Sequence, residues 1–418
     1  MKQKILITLA IPWLFAASSM ASMANALTIS GKLVDEQTKE PVVFANVVVN
    51  NTSIGTVTNG DGAFVLKVPN EYTNGEIRFS FLGYKDKIVQ AGSLNQDFNV
   101  VELTPLTINI DQIIVRTMNA QTLIERAKAN IPKNYSVSPE MMTAFYRETV
   151  KQNNKYVSIA EAVLDIYKSS YKTVTDGDRV KVYKGRKSID VKRADTVLVK
   201  LQGGPRTCLM LDIVREPGDI LDAEMWEHYK FVLDGITSFQ GKEVYRLNFY
   251  QKPTTDFPLY DGTIYIDKES YAITGLEFEF SKINIDKVDD LLIRKLPAGL
   301  RINFVSANYL VKYAFDNNVW HLNYVRCEMK FGAKYRKKLF RTNVETTIEM
   351  AVTDRSADNI VKFKIKETSK YSDVLSEKVE DLVDTEFWGD YNVIKPEESI
   401  EVAIEKLNKK LIRSNKTE

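Results

Sequence analysis

Histidine and cysteine are scarce in this sequence, and their scarcity excludes several kinds of catalytic site. The 418 residues include two histidines and two cysteines. A catalytic zinc ion takes three protein ligands, whereas His228 and His321 are far apart in the chain and neither belongs to an H-x-x-E or H-E-x-x-H motif. We therefore predict no metal site and no cofactor.

Nucleophile and phosphate-binding motifs are missing as well. The chain has no G-x-S-x-G sequence. Gly203-Gly204-Pro205, which we interpret as a turn, lacks the lysine of a phosphate loop. Paired carboxylates for glycoside cleavage stay open, because 55 acidic residues offer many pairs whose spacing the sequence does not show. The sequence predicts a non-catalytic protein, and a hydrolase is the least favoured alternative.

The two cysteines, Cys208 and Cys327, allow at most one disulfide, which excludes a fold held together by disulfides. Cys327 lies in an alternating stretch that places it on the same face as Val325, Met329 and Phe331. A buried unpaired cysteine behaves as a small apolar residue. We favour two free buried thiols over a bridge between them, and the bridge stays open.

Excess charge is absent once the N-terminus is set aside. Lys2 and Lys4, an apolar run over 5–17 and the sequence Ala24-Asn25-Ala26 have the layout of a secretory signal peptide, residues 1–26. Without those two lysines, 55 basic residues face 55 acidic ones. A neutral chain argues against nucleic acid as a partner and against a polybasic membrane surface. The apolar run is short for a spanning helix, although an uncleaved anchor is the alternative.

We therefore predict secretion across the inner membrane and no transmembrane span after signal cleavage. The mature protein is expected in the periplasm or at the outer membrane.

Four short motifs occur in order near the N-terminus: 31–35 (GKLVD), 41–47 (PVVFANV), 55–64 (GTVTNGDGAF) and 81–84 (FLGY). The short strands and turn-forming residues around them are typical of a β-sandwich. Together they resemble the carboxypeptidase-D regulatory-like domain. The resemblance implies a transthyretin-like sandwich of seven strands over residues 27–103, and an envelope protein of Bacteroidetes-type bacteria.

Residues 104–135 are predicted to form a linker strand and a helix. The strand includes Ile113-Ile114-Val115, and Asn119 is expected to cap the helix that follows.

Residues 136–355 are predicted to form one large antiparallel β domain. Apolar and polar residues alternate in several stretches, which indicates a curved sheet with one polar face. The stretch 263–273 has a strand–turn–strand pattern that resembles the repeated unit of the outer-membrane lipoprotein-carrier fold, in which a half-barrel covers an apolar cavity. The apolar positions of the alternating stretches are Tyr245, Leu247, Phe249; Leu276, Phe278, Phe280; and Val344, Ile348, Met350, Val352.

The expected fold class is therefore mainly β with a few helices (α+β). It combines a seven-stranded β-sandwich with a larger antiparallel curved sheet or half-barrel. Residues 356–418 form a C-terminal extension with an amphipathic helix over 397–413, whose apolar stripe is Ile400, Ile404, Leu407 and Leu411.

The aromatic residues of the large domain leave two interpretations open. They either fill a β core or line a concave apolar or carbohydrate-binding face. Tyr245, Phe249 and Phe278 are the candidate ligand-facing residues.

Two functions follow from these interpretations. The first is a cell-envelope accessory or binding protein whose sandwich mediates protein association. The second is a periplasmic carrier or sensor for an apolar, lipid-like ligand. A filled core with an exposed apolar patch on the sandwich would favour the first, and a deep apolar cavity would favour the second.

Overall fold

The fold is described here from a computed structural model. It covers residues 27–95, 97–106, 119–173, 176–190, 203–289, 299–336, 341–381 and 387–415. The predicted signal peptide over 1–26 and the predicted strand at 113–115 lie outside the described residues. The expected fold class is confirmed, since a small β-sandwich precedes a large curved sheet.

The sandwich consists of seven strands in two sheets, as predicted. One sheet has the order β4-β1-β7 and the other β3-β2-β5-β6. Apolar side chains from both sheets fill the space between them, and Ile29, Phe64 and Phe79 are fully buried there. The strands are β1 (Leu27–Asp35), β2 (Asn46–Val49), β3 (Gly55–Val57), β4 (Ala63–Val68), β5 (Glu76–Ser80), β6 (Lys87–Gln90) and β7 (Asn99–Leu103).

The turn between β3 and β4 depends on two residues of the third motif. Asn59 Oδ1 accepts hydrogen bonds from the backbone N–H groups of Asp61 (3.0 Å) and Ala63 (2.8 Å). Gly62 has a φ of 73°, and a Cβ there would lie 2.7 Å from the Leu33 carbonyl oxygen. Only glycine combines that backbone conformation with so close an approach.

Two short helices connect the sandwich to the large sheet: α1 (Ala120–Ala129) and α2 (Ile131–Asn134). Asn119 caps α1, because its side chain accepts from the Gln121 N–H at 2.9 Å. Leu123, Ile124 and Ala127 form the buried face of α1.

The large sheet has eleven strands in the order β11-β12-β13-β14-β15-β16-β17-β8-β9-β10-β18. Neighbouring strands are antiparallel except β10 and β18. The strands are β8 (Glu140–Gln152), β9 (Lys155–Lys168), β10 (Arg179–Ile189), β11 (Tyr229–Phe239), β12 (Lys242–Gln251), β13 (Tyr260–Asp267), β14 (Ile273–Phe280), β15 (Leu300–Asp316), β16 (Val319–Tyr335), β17 (Thr342–Ser356) and β18 (Glu380–Asp381).

Short helices cover one face of this sheet, which we name the inner face. They are α3 (Gly204–Met210), α4 (Gly218–Leu221) and α5 (Leu375–Lys378), and they join α1 in a single apolar core with the strands. The interpretation of Gly203-Gly204-Pro205 as a turn was incomplete. Gly203 is left-handed (φ 86°) and Pro205 lies in the first turn of α3, so the three residues begin a helix.

The opposite face, which we name the outer face, is not the solvated polar face that the alternation suggested. Glu349, which lies between the apolar Ile348 and Met350 and so belongs to the face expected to be polar, is only 4% exposed. It is covered because the sandwich and the C-terminal segment pack on this side, where Val57, Tyr324 and Ile394 share an apolar cluster. Alternation distinguished the two faces correctly, but it could not show that a second domain covers one of them.

The C-terminal segment has two parts: residues 387–397, which we name the strap, and α6 (Glu398–Asn415). Ile400 and Leu407 of α6 are buried and Ile404 is partly buried against Ile159 of β9. These contacts agree with the predicted stripe, and the Leu411 side chain lies outside the described residues. Within the described ranges, no helix is both long enough and apolar enough to cross a membrane.

Candidate functional site

The three aromatic residues predicted to face a ligand lie on the inner face of the sheet. Tyr245 is 5% exposed, Phe249 is fully buried and Phe278 is 8% exposed. Phe249 packs across Gly262, where a Cβ would lie 2.8 Å from both the Phe249 and Phe278 side chains. Phe278 in turn stacks on Tyr309, with ring centroids 4.6 Å apart. All three side chains belong to a packed core, and their contact with a ligand stays a prediction.

Polar groups deeper in the inner face are also satisfied by one another. The Tyr171 and Tyr313 hydroxyls donate to Asp212 at 2.8 and 2.7 Å. Lys168 Nζ lies 2.7 Å from the same carboxylate, and Tyr135 packs against both tyrosine rings. Buried hydrogen-bonded networks of this kind rigidify a core. The interior of the half-barrel is thus occupied by side chains.

A cleft of about 610 Å³ opens on the outer face, between the sheet and the sandwich. Its floor is formed by β12 to β16, and its overhang by Val43, Phe44 and Phe81 of the sandwich. Such a volume is within the range of small-molecule sites, which is roughly 300–1,000 Å³. Of the three predicted aromatic residues, Phe278 alone borders the cleft. The polar floor residues are Asn248, Asp261, Thr263, Glu277, Glu279, Asn308, Lys312, Arg326 and Glu328, together with Tyr250.

Sheet register aligns these polar residues in rows. Asp261 lies directly opposite Glu279, and Thr263 directly opposite Glu277. Like charges in directly opposed positions of antiparallel strands repel each other. Asp261 accepts from the Gln251 N–H at 2.7 Å, but neither it nor Glu279 pairs with a basic side chain among the described residues. The floor of the cleft therefore concentrates negative charge.

The overhang is held in place by a buried lysine. Lys312 Nζ donates to the Phe44 carbonyl oxygen at 3.1 Å and lies 4.5 Å from the Phe81 ring centroid. Burial lowers the pKa of Lys312 to about 8, against the opposing effect of the Glu277 carboxylate. Phe44 has a φ of 57°, which is uncommon for an aromatic residue. Phe44, whose backbone is left-handed, therefore lies at the contact between the two domains.

The cleft ends at a buried ladder of charges that crosses the outer face. Arg186, Glu161, Arg147, Glu349 and Arg326 alternate in sign along neighbouring strands, with N–O distances of 2.8 to 3.0 Å. The Arg326 guanidinium also lies 4.6 Å from the Phe44 ring centroid, at the edge of the overhang. Arg326 thus joins the ladder to the cleft.

The second feature of interest is the free edge of the sandwich. Strand β7 pairs with β1 only, among the described strands. Phe98, just before β7, is 49% exposed, and Val100, within β7, is 62% exposed. Edge strands with apolar side chains attract further strands.

The remaining edges of the sandwich carry charge or are covered. Strand β6 begins with Lys87 and ends with Gln90, and lysine on an edge strand discourages pairing. At β4, the Asn392 side chain bonds to the Lys67 backbone in both directions, accepting at 2.7 Å and donating at 3.1 Å. Strand β7 and its approach therefore expose two apolar side chains, Phe98 and Val100, whereas the β6 edge exposes Ile88 next to Lys87.

The two histidines singled out as possible metal ligands lie in different surroundings. His228 contacts Thr255 and Phe257, whereas His321 lies 3.1 Å from Glu140 Oε1 in the core. Cys208 and Cys327 are both buried and both free, and burial raises the pKa of each thiol. Among the residues that the structure describes, no group of three His, Cys, Asp or Glu side chains is arranged to hold a metal ion.

Sequence reasoning missed the cleft because its parts come from distant stretches. Asn248 and Glu277 each lie between two apolar residues of alternating stretches, and Thr263 begins the stretch 263–273. Such positions indicate an outward-facing side chain, but they do not show that the three residues are adjacent. The contribution of Phe44 and Phe81, from another domain, left no local signal at all.

The architecture defines a class of protein with a small β-sandwich docked on the outer face of a large, open antiparallel sheet. Residues 29–115 match the sequence model of the CarboxypepD_reg-like domain. The resemblance carried by the four N-terminal motifs is thereby confirmed for this segment.

Solved structures similar to the remainder include several bacterial proteins. One is a DUF1329 family protein from Desulfovibrio piger (10% identity, 60% of this chain and 100% of that chain, TM-score 0.26). Another is a putative outer membrane lipoprotein-sorting protein domain from Vibrio parahaemolyticus (12% identity, 58% of this chain and 95% of that chain, TM-score 0.23). A third is a LolA superfamily protein from Nitrosomonas europaea (10% identity, 59% of this chain and 99% of that chain, TM-score 0.20). No curated protein matches the chain by sequence.

Proposed function

We propose that this is a non-catalytic binding protein of the bacterial cell envelope that associates with a partner protein through its sandwich. The observation that carries the proposal is the exposed apolar edge at Phe98 and Val100, on a molecule whose large domain has a filled interior. The partner adds an extended segment to β7. Main-chain hydrogen bonds supply affinity in this mode, and alternate side chains supply specificity.

The usable part of the edge is short. Lys87 Nζ already donates to the Glu102 carbonyl oxygen at 3.1 Å, and just beyond β7 the Lys85 N–H donates to the Thr104 carbonyl oxygen at 3.0 Å. The partner segment therefore pairs with residues 98–101. A contact of this length fits a transient association, in which one or two apolar anchors contribute most of the affinity.

The experiment is native mass spectrometry of the protein released gently from its own envelope. We expect wild type to carry a protein partner that the variants Phe98→Lys and Val100→Lys both lose, since an edge lysine opposes strand addition. Ile88→Lys is the matched control, because Ile88 is 50% exposed on the other sheet of the sandwich. A partner that remains bound to both edge variants, or a wild-type protein without any partner, contradicts the proposal.

The alternative is a carrier of an apolar ligand inside the half-barrel. It requires the core around Phe249, which is fully buried, to open around that ligand. The same spectra address this function. A lipid-sized adduct that is retained by wild type and lost in Phe278→Ala would replace the proposed function with the carrier.

A further inference from the structure

The cleft between the sandwich and the large sheet is independent of the β7 edge, and its lining has a distinct chemistry. Side chains that only accept hydrogen bonds lie beside side chains that only donate. The acceptors are the carboxylates of Asp261, Glu277 and Glu279. The donors are Lys312, which also bonds to the Phe44 carbonyl oxygen, and Arg326, which also bonds to Glu328 and Glu349. A ligand that meets both kinds of group within one cleft must itself donate and accept.

Amide and hydroxyl groups extend this mixture along the floor. The Thr263 hydroxyl donates to Asn248 Oδ1 at 2.8 Å, which leaves the Asn248 amide nitrogen to donate elsewhere. Asn308 lies directly between Glu279 and Glu328 in the strand register. Each amide carries both a donor and an acceptor. Ligand hydroxyl groups match such a floor, because every hydroxyl can donate to a carboxylate and accept from an amide or guanidinium.

Aromatic side chains complete the site. Tyr250 is 43% exposed on the floor, on the face of β12 opposite to Phe249. Phe44 and Phe81 border the cleft from the sandwich side. Exposed aromatic rings offer flat apolar surfaces for the C–H faces of a sugar ring, while the polar groups determine orientation.

The charge balance narrows the class of ligand. Asp261 and Glu279 lie opposite each other and repel, and a ligand with its own carboxylate or phosphate would add to that repulsion. Hydrogen bonds donated to carboxylates are about twice as strong as neutral ones, which favours hydroxyl groups as the donors of the ligand. A simple cationic peptide fits less well, because Lys312 and Arg326 border the same space.

We propose that this cleft binds a hydroxyl-rich saccharide that carries no acidic group, with Tyr250 as the stacking platform and Glu277 as a hydroxyl acceptor. The sandwich supplies the second wall of the site. The bound saccharide therefore contacts both domains.

The test is isothermal titration calorimetry of residues 27–418 with defined probes. These are hexamers of α-linked glucose, β-linked glucose and N-acetylglucosamine, with a galacturonate hexamer as the acidic counterpart and hexalysine as the cationic peptide. We expect at least one neutral hexamer to bind, and the galacturonate hexamer to bind at least about tenfold more weakly, a difference of about 1.4 kcal/mol.

Variants locate the binding within the cleft. Tyr250→Ala and Glu277→Gln are each expected to weaken the binding of the neutral hexamer by at least about tenfold. Tyr183→Ala is the matched control, because Tyr183 is 54% exposed on β10, away from the cleft lining. Thermal melting of each variant without ligand checks that it is folded, and Glu277→Gln preserves the shape of the side chain.

Every other outcome overturns the saccharide proposal. Binding of hexalysine alone would identify a site for cationic peptides, and tightest binding of the galacturonate hexamer would reverse the charge argument. No binding of any hexamer at about 1 mM, a concentration that half-fills a site with a Kd of about 1 mM, would leave the cleft without a saccharide ligand. Binding unaffected by the cleft variants would place it elsewhere. None of these results bears on the β7 edge, which is tested by the variants at Phe98 and Val100.

Discussion

Glu148 is a carboxyl group held inside the apolar core of the large domain. It is 4% exposed on the inner face of β8, and its Oε2 accepts from the Tyr146 hydroxyl at 2.9 Å. Burial raises the pKa of Glu148 to about 7, although the Tyr146 hydroxyl and the Ser376 backbone N–H favour the charged form. At acidic pH the residue is neutral and its burial costs little. Ionisation near neutrality makes the same burial unfavourable.

The stability of the folded protein should therefore fall as the pH rises through this window. Because the pKa in the folded state exceeds the value of about 4.5 in the unfolded state, the contribution of Glu148 is fully present below pH 4.5 and is lost by about pH 7. The loss is on the order of 3 kcal/mol. The free energy of unfolding should be measured with urea at several pH values. Over this pH window it should fall by about 3 kcal/mol less in Glu148→Gln than in wild type.

Glu71→Gln serves as the control for Glu148→Gln, because Glu71 is exposed on the sandwich. Its pH dependence should match that of wild type. Equal losses of stability in Glu148→Gln and wild type between pH 5 and pH 8 would show that other groups cause the effect.

At the scale of secondary-structure elements, buried charges join strands across the outer face of the large sheet, beside the apolar cluster that contains Val57, Tyr324 and Ile394. Arg147 of β8 bonds Glu161 of β9 at 2.8 Å and Glu349 of β17 at 3.0 Å, and it donates to the Ile394 carbonyl oxygen of the strap at 2.7 Å. All these groups are buried. The arginine thus links three separate parts of the chain.

Removal of the arginine charge should be costly. Breaking one partner of a buried ion pair typically destabilises a protein by about 3–5 kcal/mol, since the opposite charge stays buried without compensation. We expect Arg147→Met to lose that amount in chemical unfolding. Lys39→Met is the control, because Lys39 pairs with Glu102 while 60% exposed, and exposed pairs contribute under about 1 kcal/mol. Similar losses of unfolding free energy in the two variants would show that the buried ladder stabilises the fold no more than an exposed ion pair does.

The strap is a second linking element, and it uses the signature turn of the sandwich. Asn59 Nδ2 donates to the Lys395 and Pro396 carbonyl oxygens at 3.1 Å each, and Asp61 Oδ2 accepts from the Glu398 N–H at 2.9 Å. Asp61 therefore lies at the N-terminus of α6, where a carboxylate is favourable. The turn that shapes the sandwich also anchors the C-terminal helix.

Hydrogen exchange can test the strap. Asn392→Ala removes the acceptor of the Lys67 N–H bond, so this amide should exchange faster, and a lost hydrogen bond should cost about 1 kcal/mol. The Leu33 amide, which donates to the Gly62 carbonyl oxygen at 2.8 Å, should keep its rate. An unchanged exchange rate of the Lys67 amide would show that the strap does not stay bound to the β4 edge in solution.

At the scale of the whole molecule, the sandwich is docked by a few specific contacts. The Phe44 ring stacks on Tyr324, with centroids 5.6 Å apart, and Ser53 donates to Asp354 Oδ1 at 2.7 Å. The Gly83 N–H donates to the Ser238 carbonyl oxygen at 2.8 Å. Interfaces between domains of one chain are commonly polar and permit relative motion. The docking should thus be weaker than either core.

Phe44→Ala should separate the unfolding of the two domains. The variant loses the stack on Tyr324 and the contact with Arg326, together worth about 1 kcal/mol or more. In calorimetry we expect one transition for wild type and an earlier, separate transition of the sandwich for the variant. Ile88→Ala, on an exposed part of the sandwich, should behave as wild type. A single unshifted transition for Phe44→Ala would show that the remaining contacts suffice.

Turns, helix caps and strand alternation were predicted from the sequence because each depends on residues that are close together in the chain. The turn at Asn59–Gly62 and the cap at Asn119 each depend on side chains a few positions apart. The alternation through Tyr245, Leu247 and Phe249 correctly identified the inner face, since strand side chains alternate whatever their partners.

Tertiary structure alone decided what lies against each face. The burial of Glu349, the opposition of Asp261 and Glu279, and the approach of Phe44 to Lys312 each join residues that are distant in sequence. Such contacts depend on strand order and domain docking, which leave no periodic signal. The sequence by itself therefore determined the sandwich, the inner core and the terminal helix. The cleft, the charge ladder and the free edge exist only because the docked domains cover some surfaces and leave others open.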